Sequence, residues 1–142
     1  MDKDMIPAKL YKKIVSLVPI VCVDVILKYN EKYVLVKRAT EPLLGSWWVV
    51  GGRAFKGEST LETAKRKVRD ETGLKARDFR VAGIYEDSYP KSAFGVPTSS
   101  VSVVYEAEVD NFDPIIDSTS SDIKLTNKLP HRFLKKLCLN QK

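Results

Sequence analysis

An α+β fold, with helices packed on a mixed β-sheet, is what the spacing of apolar residues predicts for this chain. Three observations carry that reading. Ile20 to Leu27 is a β-branched apolar run, and Tyr33 to Lys37 alternates like a return strand beyond the turn-forming KYNEK. Between Ser59 and Gly73 the apolar period changes to that of a helix. Beyond it, residues 80–85 and 100–109 again read as strands.

The elements follow in order. Pro7 stands where a helix starts, and Leu10, Ile14 and Leu17 keep helical spacing up to Pro19. Ile20 to Leu27 is expected as a central strand. Trp47 to Val50 is a further short apolar run that ends at Gly51-Gly52. Ser59 with Glu62 three residues on makes a capping box, and Leu61, Ala64 and Val68 give that helix its apolar face. Gly73 closes it from the C′ position. A Ser-, Pro- and Gly-rich loop joins the two later strands, and Asn111 to Ser121 reads as polar loop. Pro130 to Leu139 is expected as a short helix with Leu134 and Leu137 facing inward.

The 142 residues suit one compact domain, expected over residues 1–142 without repeats or a linker. With 44% apolar and 30% charged residues the chain can bury a core, which excludes disordered, collagen-like and disulfide-scaffold classes. The net charge of +6 raises the question of a nucleic-acid partner, but its distribution argues against one. Residues 1–122 carry eighteen charges of each sign, whereas the last twenty residues carry six bases and no acid. The body is neutral and the terminal segment basic. Cys22 and Cys138 have no metal-binding companions and read as reduced, half-buried thiols. Lys12-Lys13 before IVSLVPIVCV imitates a signal peptide, but Asp24 interrupts the run and Pro19 breaks it. A cytoplasmic protein with no membrane partner is expected.

The chemistry gathers between Gly52 and Leu74. A glycine turn leads to Glu58, and the capped helix then presents Arg66, Lys67, Asp70 and Glu71. Three- and four-residue spacing brings Lys67 to Asp70 and Glu71, and Arg66 to Asp70 and Glu62. Paired carboxylates at a helix end beside a glycine turn suit a hard divalent cation with oxygen ligands. The same spacing also describes a solvated, salt-bridged helix face.

This stretch resembles the Nudix box, G-x5-E-x7-R-E-U-x-E-E-x-G-U, where U is apolar. Gly52, Glu58, Arg66, Val68, Glu71, Gly73 and Leu74 match in frame, and Asp70 is a conservative match. The resemblance covers about Val18 to Leu125. It implies the Nudix α/β/α sandwich with a mixed β-sheet, and a Mg²⁺-dependent hydrolase of a nucleoside diphosphate linked to another moiety, with Mn²⁺ as the alternative ion. Gly51 and Gly52 through a carbonyl, Asp70 and Glu71 would be the metal ligands. Arg66 and Glu71 would serve catalysis.

One position departs from the pattern. Where the family carries Glu after the Arg, this chain has Lys67. A lysine there removes an anionic oxygen and adds a cation, which is expected to weaken Mg²⁺ binding or displace one metal. Residues 58–74 hold four acids and four bases, against the acidic box usual in the family. Altered boxes also mark the GDP-mannose mannosyl hydrolase branch, which this chain resembles in Asp24, Lys37-Arg38, Leu44 to Trp48 and Gly51-Gly52-Arg53. That branch implies C–O cleavage of a nucleotide sugar such as GDP-mannose, with Arg53 and Arg38 on the diphosphate and Asp24 at the substrate.

The branch's Gln-His pair is replaced here by Thr119-Ser120. Asp122, Asp117 and Asp87 remain as substitute bases, and His131 reads as a surface or capping residue. Of Trp47 and Trp48, one must point into the core. Tyr85 and Tyr89 border the loop that would cover substrate. P–O cleavage of a nucleoside triphosphate or ADP-ribose-like substrate is the second enzyme reading. A catalytically impaired Nudix-fold module that binds a nucleotide or a partner is the third. Homodimers are common in the family.

Overall fold

The computed structural model describes residues 5–115 and 120–139. Its elements run α1 (Ala8–Leu17), β1 (Ile20–Tyr29), β2 (Lys32–Arg38), β3 (Trp47–Trp48), β4 (Val50–Arg53), α2 (Thr60–Thr72), β5 (Ala76–Tyr89), β6 (Thr98–Val109), β7 (Ser120–Thr126), α3 (His131–Lys136) and β8 (Leu137–Leu139). One sheet takes them in the order β3-β2-β1-β6-β5-β8, with β4 added against β1 and β7 against β2. The β1–β6 pair is parallel, from Ile20↔Ser100 to Lys28↔Glu108, and the other pairs are antiparallel. The sheet is mixed, as the sequence predicts.

β1 is the central strand because it is apolar on both faces. Val23, Val25 and Leu27 point to one side, where Ala64, Val68 and Leu74 of the α2 region cover them together with Val34, Val36 and Tyr105. Ile26 points to the other side, into a cluster of Leu35, Trp48, Tyr85, Val104 and Phe133 that α3 covers. Cys22 and Asp24 belong to this second side by the same alternation. Helices therefore lie on both faces, which makes the α/β/α sandwich.

The helix signals of α2 act as the sequence predicts. The Glu62 amide donates to Ser59 Oγ at 3.1 Å, and Gly73 takes the left-handed conformation at φ 68° with its amide on the Arg69 carbonyl. The KYNEK turn places Asn30 and Glu31 at positive φ, which matches the twist of a two-residue hairpin between β1 and β2.

Four expectations are corrected. The segment after Asn111 is not loop as far as Ser121, since β7 begins at Ser120 and pairs with β2 along Tyr33↔Thr126 to Arg38↔Ser120. Ile123 and Leu125 alternate with polar residues there and pack on the α2-side core, a period-2 signal that its short length hid. The last segment is not one helix: α3 ends at Lys136, and Leu137–Leu139 pairs with β5. Leu134 faces solvent at 51% exposure, while Phe133 is fully buried against Tyr85 and Trp48. Leu137 does pack against that core. Cys22 and Cys138 are free thiols, with Cys138 exposed rather than half-buried. Among the described residues no helix is long and apolar enough to cross a membrane.

Candidate active site

On the α3 side of the sheet, α1, β1, β4, the loop after β2 and the ends of β5 and β6 enclose a cavity of about 260 Å³. Asp24 stands on its floor. Strand alternation sends its side chain this way, and Gly51 opposite must be glycine because a Cβ there would collide with Asp24 Oδ1. Burial pushes the Asp24 carboxyl up to about 6, against the lowering influence of the Ser102 hydroxyl and the Arg38 guanidinium. The same burial, with the Asp24 charge beside it, pushes the Cys22 thiol up to about 12, which leaves it a protonated, unreactive side chain.

Two arginines reach this cavity. Arg38 is aimed by its own loop, its Nε donating to the Pro42 carbonyl at 2.6 Å. Arg53 leaves the end of β4 and lies over the Tyr11 ring at 5.1 Å and the Phe55 ring at 4.8 Å. Tyr11 comes from α1 and meets Phe94 of the β5–β6 loop at 5.5 Å between ring centroids. Tyr85 and Tyr89 of β5 close the opposite wall, their hydroxyls 3.3 Å apart. Of the two tryptophans, Trp48 is the inward one and lines the cavity, while Trp47 lies under the Lys124 ammonium at 4.3 Å. Sequence spacing announced neither Tyr11 nor Phe94: one sits on a helix remote in sequence, the other in a loop without periodicity.

Arg66 and Glu58 form a clasp. Arg66 donates from Nε to Glu58 Oε2 at 2.8 Å and from Nη2 to Oε1 at 3.0 Å. The second nitrogen also reaches the Arg53 carbonyl at 2.9 Å, and the guanidinium lies 3.7 Å from the Phe55 ring centroid. Glu58 takes two further bonds, from Thr63 Oγ1 at 2.6 Å and the Phe55 amide at 3.1 Å. Arg66 and these donors outweigh desolvation and hold the Glu58 carboxyl down at about 2. The predicted partners Asp70 and Glu62 are thus not the ones Arg66 takes. Through the Arg53 carbonyl it ties α2 to the end of β4 that carries Arg53.

Lys67 turns toward the sheet. Its Nζ lies 3.0 Å from Glu71 Oε1, with the two side chains only 15% and 6% exposed. A Cβ on Gly52 would come within 2.7 Å of Lys67 Cε, so Gly52 leaves room for the lysine stem. Asp70 stands apart: it is exposed and pairs with the neighbouring Arg69 at 3.3 Å. α2 carries consecutive acids on different faces, and only Glu71 points inward.

The candidate bases separate equally clearly. The Asp87 carboxylate is fully buried, and Arg132 binds it through Nε at 2.7 Å and Nη2 at 2.8 Å, with Lys136 at 3.1 Å and the Tyr85 hydroxyl also donating. Burial works to raise its pKa, but these bonds hold it well below the usual carboxylate range, so it anchors α3 rather than taking protons. Asp87→Asn is accordingly expected to cost about 2 kcal/mol in urea unfolding while leaving the pH dependence of turnover in place. Asp122 is an exposed β7 residue opposite Lys37, its Oδ1 bonded to the Ile123 amide at 2.8 Å and outside the cavity lining. Asp117 and Thr119 lie outside the described residues. His131 is exposed at the first turn of α3.

The NUDIX domain profile matches residues 18–125, about three quarters of the chain. The protein belongs to the Nudix family. Its similarity extends to the low-salt glycan biosynthesis protein Agl8 of Haloferax volcanii, at 28% identity over 122 residues, covering 84% of this chain and 78% of that protein. An ADP-ribose pyrophosphatase of Methanocaldococcus jannaschii is 34% identical over 67 residues, 47% of this chain but only 40% of its own length. The Nudix domain of Shewanella oneidensis NrtR, solved with ADP ribose, superposes with a TM-score of 0.66 at 22% identity over 92% of this chain and 94% of that one. The chain is a Nudix hydrolase with the fold of these neighbours.

Nudix hydrolases generally use divalent metal ions. The residues of this Nudix site do not fit one in the arrangement described. Among the described residues no three acids, histidines or cysteines gather into a metal-binding group. Glu58 is clasped by Arg66, Asp70 is turned outward, and Glu71 is bound to Lys67. Gly51 and Gly52 do lie at the cavity wall.

Proposed function

We propose that this Nudix hydrolase acts on a nucleoside diphosphate linked to a second moiety, a nucleotide sugar such as GDP-mannose above all. The observation that carries the reading is a single cavity lined by Arg38, Arg53, Asp24 and several aromatic rings. Guanidinium groups suit the oxygens of a diphosphate. Rings such as Tyr11, Phe94 and Tyr89 offer faces to a base, and a recessed carboxylate accepts from the N–H or O–H groups of base or sugar. The glycan role in the name of the Haloferax relative agrees with a sugar-bearing substrate. A cytoplasmic protein would meet such substrates where they are made.

A second reading, P–O cleavage of an ADP-ribose-like substrate, draws support from the pyrophosphatase relative and from the ADP ribose bound by the Shewanella domain. The two readings differ in products. Incubation with GDP-mannose, other nucleotide sugars and ADP-ribose, followed by ion-exchange chromatography, is expected to release free sugar and nucleoside diphosphate. Nucleoside monophosphate with sugar phosphate would give the answer to the second reading. Absence of turnover across the panel, with nucleotide binding retained, would reject both in favour of a binding module.

A further inference from the structure

We infer that the Lys67 ammonium is a built-in cation that takes the place of a divalent ion beside Glu71, so that the site binds the diphosphate of its ligand without metal. The inference rests on the proposed nucleoside diphosphate ligand for its second half, but the first half stands on the chain alone.

The geometry is specific. Lys67 reaches back from α2 across the space that a side chain at residue 52 would fill, and Gly52 leaves it open. There its ammonium lies 3.0 Å from Glu71, and both side chains are shielded from bulk water. A buried carboxylate needs a countercharge, and Lys67 supplies it within the fold. A dication entering the same place would meet the positive charge of Lys67 at close range and would compete with it for Glu71. Among the described acids of the box no second one compensates, because Glu58 is engaged by Arg66 while Glu62 and Asp70 face solvent.

The position also serves the ligand. Gly52 belongs to the cavity wall between Gly51 and Arg53, so Lys67 backs the wall on which the diphosphate would lie. Arg38 and Arg53 line the cavity itself, and Lys67 stands behind its Gly52 wall on the α2 side. The local positive charge that a metal brings to phosphate oxygens is then part of the covalent chain.

Two titrations decide it. Mn²⁺ added to the wild-type protein and followed by electron paramagnetic resonance is expected to show no saturable site. Lys67→Glu, which returns a carboxylate beside Glu71, is expected to create a saturable Mn²⁺ site, and its failure to do so would also overturn the inference. Calorimetry with GDP-mannose is expected to give affinities in EDTA and in Mg²⁺ that agree within about twofold for the wild type. A saturable Mn²⁺ site in the wild type that Glu71→Gln removes would overturn the inference, as would loss of GDP-mannose binding in EDTA. The wild-type arms require no variant to fold. If GDP-mannose and ADP-ribose bind under neither condition, the ligand assignment fails, while the Mn²⁺ titration still decides whether Lys67 holds the cation's place.

Discussion

Replacing Arg66 by methionine is expected to destabilise the protein by about 3 kcal/mol at neutral pH, measured by urea unfolding. The substitution keeps most of the apolar stem but removes the two charge-assisted bonds to Glu58 and the bond to the Arg53 carbonyl. Glu58 would then stay largely buried as a carboxylate with only Thr63 and the Phe55 amide. The effect depends on pH with a definite sign. Glu58 is ionised down to about 2 in the fold and titrates at 4.5 when unperturbed. Its bonds therefore stabilise the folded state fully above pH 4.5, and that contribution disappears as pH falls through about 2. The gap between wild type and Arg66→Met should shrink over that window. A gap that is constant from pH 7 to pH 3 would mean that Arg66 acts by packing on Phe55 alone. Turnover should fall about tenfold or more, since the end of β4 carrying Arg53 loses its tether to α2.

Asp24→Asn is expected to move stability in the opposite direction. Burial raises the Asp24 carboxyl from 3.8 to about 6, so ionising it in the folded chain is unfavourable. The folded state prefers the protonated form, and stability falls as pH rises from 3.8 through about 6. A neutral amide of the same shape escapes that penalty. The variant should gain on the order of 2 kcal/mol at pH 7.5 and nothing below pH 4. Nucleotide-sugar binding should weaken about tenfold at least, because a carboxylate facing the ligand is lost. Gain of stability with unchanged binding would take Asp24 out of the ligand contacts. Loss of stability at pH 7.5 would show that the carboxylate is held by partners stronger than its desolvation.

The turn and helix-end expectations that came through unchanged share one property: each rests on residues close together in sequence. The capping box at Ser59, the left-handed Gly73 and the Asn30-Glu31 turn are decided by local sterics and hydrogen bonds. The two corrected ends of the chain rest on long-range contacts. β7 forms because β2 offers an edge, and β8 because β5 does, so neither Ser120–Thr126 nor Leu137–Leu139 has a strong signal of its own. Asp87 looked like one free acid among many until the terminal helix delivered Arg132 and Lys136, forty-five and forty-nine positions later.

For this protein the sequence by itself determined the family, the frame of the box from Gly52 to Leu74, and the presence of a lysine where a carboxylate is usual. It also located the excess of positive charge in the last twenty residues. Only the tertiary structure decided what those charges do. Two of the terminal bases neutralise a buried aspartate, and Lys67 turns inward to Glu71 rather than to Asp70. The physical reason is the same in each case. Spacing along a helix says which side chains are neighbours, but burial decides which of several neighbouring charges must be paired, and burial is set by elements that meet only when the chain has folded.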